Sequence, residues 1–174
     1  MIIPVMLFAL IAGAVIQTLV PGMALLGRAR LPILMSVVLY YALTSNRGVM
    51  LFSAVIAGLL QDSLSLIPAG YSAFCFGFVG VVLNRYKDDL FGDSILTTTV
   101  IGAVTGFLVS LSLSILLWFN DMIQDPLWWW ALKACGTALL GAVFTPVVFS
   151  ILSGLDRMVG NMPSKRHPLE DEEN

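Results

Sequence analysis

The sequence predicts an all-α integral membrane protein: six transmembrane helices in one compact bundle, with both termini in the cytoplasm. Three observations carry that expectation. Hydrophobic residues make up 58% of the chain and charged residues 11%, where an ordinary soluble domain carries roughly 25% charge. The mean hydropathy is +0.91. Apolar stretches also follow one another with short connections up to about residue 155, which leaves little chain for a separate soluble domain.

Crossing roughly 30 Å of hydrocarbon takes about 20 helical residues. A helix is the default spanning element because it closes its own backbone hydrogen bonds. On that basis the spans are 3–20, 31–45, 48–67, 70–84, 95–119 and 128–152. The first, within MIIPVMLFALIAGAV, has no positive n-region and no convincing cleavage site, so it reads as an uncleaved span. The second and fourth are short for a crossing. Thin or tilted surroundings, helix ends buried in protein, or a re-entrant hairpin would each accommodate them, and the reading adopted is six spans. In the sixth, Pro146 removes one backbone hydrogen bond and predicts a kink. Residues 1–155 then form the transmembrane domain. Residues 156–174 form a short disordered cytoplasmic tail, because GLDRMVGNMPSKRHPLEDEEN loses its apolar period and gains proline and charge.

Orientation follows from lysine and arginine in the short loops. Arg47, Arg85, Lys87, Arg157, Lys165 and Arg166 fall on the side of the N-terminus, against Arg28, Arg30 and Lys133 on the other. That excess places both termini in the cytoplasm. Trp128, Trp129 and Trp130 then open the sixth span at the outer interface, where amphipathic rings are favoured, with Lys133 snorkelling beside them.

Composition and motif content argue against several classes of function. The net charge is -2, and four of the eleven acids fall in the closing EDEEN, so no nucleic-acid footprint is present. Cys75 and Cys135 each sit alone in an apolar segment, as small hydrophobes do. An intramembrane serine protease needs a base for its serine, and His167, the sole histidine, is in the tail. Clustered zinc ligands, a facing pair of intramembrane acids and a phosphate-binding loop are all missing. The chain therefore reads as a non-enzyme with no cofactor and no metal.

One acid stands out. Asp62, in GLLQDSLSLIPAGYSA, is the only acid well inside an apolar segment, near the outer end of the third span. Gln61, Asp62, Ser63 and Ser65 would suit a ligand site on a broken helix. Alternatively the helix simply ends before Pro68, and Gly70 allows a tight turn into the fourth span. The second reading is preferred, with Asp62 hydrogen-bonding the turn. Elsewhere, Gly102 and Gly106 form a GxxxG pair suited to close helix approach, either within the bundle or against a partner. Ser110 and Ser114 share a face and are candidates for interhelical hydrogen bonds.

Taken together, LPILMSVVLYYAL (31–43), Arg47, AGLLQDSLSLIPAGYSAF (57–74) and TALLGAVFTPVVFSILSGLDR (137–157) resemble the bacterial rod shape-determining MreD family. Gly58, Asp62, Pro68 and Gly70 match that family's Gly-x-x-x-Asp stretch and following turn, and Pro146, Phe149 and Arg157 match its last helix. Ala69, where Leu is more frequent, and the polar Gln61 before the acid depart from the pattern. The resemblance implies a scaffold or regulatory subunit of the cell-elongation machinery, which makes lateral peptidoglycan in the bacterial inner membrane. The implied partners are an MreC-like single-span periplasmic protein and, more widely, the MreB filament and RodA with penicillin-binding protein 2, all in the setting of the lipid bilayer. The alternative is a substrate-binding membrane subunit of an energy-coupling-factor type transporter, which has comparable size and topology.

Overall fold

The computed structural model describes residues 2–19, 31–65, 68–86, 95–119 and 127–160. Among the described residues the chain is entirely helical, with six helices and no strand. They are α1 (Ile2–Leu19), α2 (Ile33–Thr44), α3 (Arg47–Ser65), α4 (Tyr71–Arg85), α5 (Ile95–Phe119) and α6 (Leu127–Met158). Four of them, α1, α3, α5 and α6, are long and apolar enough to cross a membrane. The other two are shorter: α2 has 12 residues and α4 has 15, or about 18 and 22 Å at the α-helical rise.

The shortest helix lies at the centre. Every residue of α2 except Thr44 is buried, as expected of a helix that is apolar all round. In lipid the hydrophobic effect gives little preference for burying one apolar helix over another, so close packing and interhelical hydrogen bonds decide. α2 carries both. Its polar groups Ser36 and Tyr40 are one turn apart, and both reach α6. The Ser36 hydroxyl lies 3.0 Å from that of Thr145, and Tyr40 donates to Asp156 Oδ2 at 2.8 Å. The Tyr40 ring also meets Tyr41 and Phe149 edge-on, with centroids 5.2 and 5.3 Å apart.

Contacts between helix ends show which way each helix runs. Gly13, late in α1, packs on Ile33 at the start of α2, and Gln17 bonds Gln61 near the end of α3. Asn84, late in α4, donates to the carbonyls of Ala42 and Ser45 at the end of α2. Trp118 at the end of α5 faces Trp130 at the start of α6. Hence α1, α3 and α5 run one way, and α2, α4 and α6 the other. The start of α1 and the end of α6 lie at the same end of the bundle.

Glycine sets the closest approaches. A Cβ on Gly102 would collide with the Gly141 carbonyl and the Thr145 side chain, and one on Gly106 would lie 2.9 Å from the Thr137 carbonyl oxygen. The GxxxG pair therefore packs α5 against α6 inside this chain. Leu139, Val143, Val147 and Ile151, at four-residue spacing on the opposite face of α6, are exposed, which suits a surface covered by lipid.

Three expectations need correction. The last helix does not stop at 152: it continues through Pro146 to Met158, so residues 156–158 belong to the bundle rather than to a tail. Asp62 is not alone, because Asp156 is also buried. The stripe Thr145, Phe149, Leu152 and Asp156 advances at helical spacing, and Asp156 continues it because Tyr40 supplies a hydrogen-bond donor. Ser110 and Ser114 do not bond between helices. Ser114 donates to the Ser110 carbonyl of its own helix, and Ser110 Oγ has no partner among the described residues. The expected disordered stretch 161–174, together with Arg28, Arg30 and Lys87, lies outside the described residues.

Candidate functional site

The residues singled out between the third and fourth apolar segments converge on one joint. Gly58 and Asp62 are one turn apart on α3 and face the beginning of α4. A Cβ on Gly58 would run into the backbone nitrogen and Cα of Ala73, so glycine is what lets α3 and α4 touch backbone to backbone. One turn further on, the Asp62 carboxylate enters the gap before α4. Its Oδ2 accepts the Gly70 N–H at 2.7 Å, and the Ser72 N–H is shared between Oδ1 and Oδ2 at 3.0 and 3.2 Å.

The local sequence explains why the acid is needed. A helix begins with backbone N–H groups that have no intrahelical partner, and a side-chain oxygen usually satisfies some of them. Gly70, at the cap position of α4, has no side-chain oxygen and makes no side-chain cap bond. Its φ of 108° lies in the left-handed region that glycine adopts without strain. Pro68 contributes no N–H. The cap is therefore supplied from eight residues upstream, by a carboxylate that also complements the positive end of the α4 dipole. Asp62 is completely buried, and both its oxygens are engaged.

A second polar group adjoins the joint. Gln17 of α1 donates to Gln61 Oε1 at 2.7 Å, and Gln61 donates to Ser65 Oγ at 3.2 Å. The polar Gln61 thus ties α1 to the same end of α3. Ser63 instead bonds the Leu59 carbonyl of its own helix and is exposed. Within the polar run, Asp62 turns to the start of α4, Gln61 to Gln17 and Ser65, and Ser63 back to its own helix.

At the other end of the bundle a third group was not anticipated from the sequence. Tyr40 bonds Asp156 across α2 and α6, and Asn84 Nδ2 donates to Ala42 O at 2.6 Å and Ser45 O at 3.2 Å. The Asn84 bonds satisfy carbonyls that the end of α2 leaves open. A signal was present: Ser72, Phe76, Gly80 and Asn84 follow one another at four-residue spacing and are all buried. Asp156 Oδ1 and the Tyr41 hydroxyl have no partner among the described residues.

These hydrogen bonds hold helix ends against one another. Among the described residues no group of His, Cys, Asp or Glu could hold a metal ion. Pro146 and the Gly102–Gly106 pair lie on the α5–α6 side, remote in sequence from the Asp62 joint and not part of it. Compared with protein-family models, with curated proteins and with solved structures, the chain matched none.

Proposed function

We propose that this protein is a non-enzymatic, MreD-like subunit of the bacterial cell-elongation machinery. It spans the inner membrane six times with both termini in the cytoplasm, and acts as a scaffold or regulator through an MreC-like single-span partner. The observation that carries the reading is the α3–α4 joint. Gly58, Asp62, Pro68 and Gly70, the positions on which the resemblance rests, are parts of one close-packed, capped turn. The sequence pattern thereby acquires a single physical purpose, which is to hold the end of α3 against the start of α4 at one end of the bundle. Alternating helix direction supports the six-span topology. In a membrane a packed bundle whose polar groups bond one another suits an assembly subunit.

Depletion in the native host tests the proposal. Rod-shaped or curved cells are expected to round up, and the tagged protein is expected to co-purify with a single-span protein bearing a periplasmic domain. Unchanged shape with no such partner refutes it. A vitamin or metal retained at stoichiometric amount by the purified protein would instead support the transporter-subunit alternative.

A further inference from the structure

At the end of the bundle where α6 finishes, the described residues include three arginines. Arg47 opens α3, Arg85 closes α4 and Arg157 lies in the last turn of α6, and all three are exposed. The hydrogen bonds between helix ends place them at one end of the bundle, Arg47 and Arg85 on neighbouring helices and Arg157 across α2 from them. Asn84, bound to the Ala42 and Ser45 carbonyls, holds Arg85 beside the turn that leads into Arg47. Tyr40, bound to Asp156, fixes the last turn of α6, which carries Arg157, beside α2. Of the two acids among the described residues, Asp62 is at the opposite end. Asp156 is buried, gives one oxygen to Tyr40 and leaves the other without a partner among the described residues, so it does not pair with Arg157.

The apolar surface continues directly from two of these arginines. Leu51, one turn after Arg47, and Val81, one turn before Arg85, are both exposed. Each pair thus places a guanidinium at the rim and an aliphatic side chain one turn deeper in the membrane. A phospholipid has the matching order, an anionic headgroup above its acyl chains. Guanidinium is also suited to two-point hydrogen bonding of phosphate.

We propose that Arg47, Arg85 and Arg157 form a binding face for the headgroups of anionic phospholipids, with the acyl chains lying against α3 and α4. Basic residues beside a membrane attract anionic lipid with roughly 1 kcal/mol each, about fivefold in affinity per arginine. This face is independent of the assembly role proposed above. It also asks more of the arginines than setting topology, which needs their charge only during insertion.

The test uses the full chain reconstituted in vesicles of phosphatidylglycerol and phosphatidylcholine in equal amounts, then released in mild detergent, with retained lipids counted by native mass spectrometry. The wild type is expected to retain phosphatidylglycerol in preference. The triple variant R47Q/R85Q/R157Q is expected to lose that preference, while R47K/R85K/R157K keeps most of it. Circular dichroism confirms that each variant stays helical, and if the triple variant does not fold, the three single variants are read instead, each expected to lower the preference about fivefold. An unchanged preference in the glutamine variants overturns the proposal. So does the absence of preference in the wild type, which would mean that acids such as Asp88 and Asp89 or the EDEEN terminus occupy the arginines.

Discussion

Substituting Asp62 separates a capping role from a role for its charge. Asp62→Ala removes every acceptor for two N–H groups, that of Ser72, which is fully buried, and that of Gly70, which is partly so. A buried donor left unsatisfied costs about 1–3 kcal/mol, so the pair sums to about 2–5 kcal/mol with partial hydration at Gly70. Asp62→Asn keeps one acceptor oxygen and turns an amide NH2 toward the other donor, for about 1–3 kcal/mol. Local opening of α4 can be read at Cys75, a buried thiol one turn into that helix, with the exposed Cys135 as internal reference. At roughly 1.4 kcal/mol per tenfold, the alanine variant should speed Cys75 alkylation by about 25-fold or more and the asparagine variant by a smaller factor than alanine, with Cys135 unchanged. Alkylation as slow in Asp62→Ala as in the wild type would refute the cap. An asparagine variant with a normal Cys75 rate but no activity in cells would show that the charge itself is used.

Two further outcomes follow from the packing. Gly58→Ala and Gly102→Ala each place a methyl group against backbone, where overpacking costs about 1–3 kcal/mol. Both should lower the thermal midpoint in detergent, whereas Gly77→Ala, whose Cβ would meet nothing within 4 Å, should leave it nearly unchanged. Tyr40→Phe and Asp156→Asn form a double-mutant cycle across α2 and α6, and their coupling energy should fall between about 0.5 and 3 kcal/mol in urea or detergent unfolding. Additive single effects would show that the 2.8 Å bond contributes nothing.

Hydropathy and length alone determined the class of this protein, because covering about 20 residues with hydrocarbon leaves a compositional mark that needs no tertiary knowledge. They also located six helices, and the Gly-x-x-x-Asp spacing with Pro68 and Gly70 pointed to a turn. What they could not supply was direction around each helix axis. α2 and α1 are both almost wholly apolar, so a chain read in one dimension gives no reason why α2 is enclosed while Phe8 and Leu19 of α1 face outward. Likewise Asp156 looks like the first charge of a solvated tail until Tyr40, 116 residues away in sequence, is brought to it by the fold. The acid at Asp62 was legible as a feature of a turn. Only the tertiary structure decided that its carboxylate replaces the side-chain cap that Gly70 lacks, because a cap is defined by which N–H groups lie within 3 Å and not by where the acid stands in the sequence.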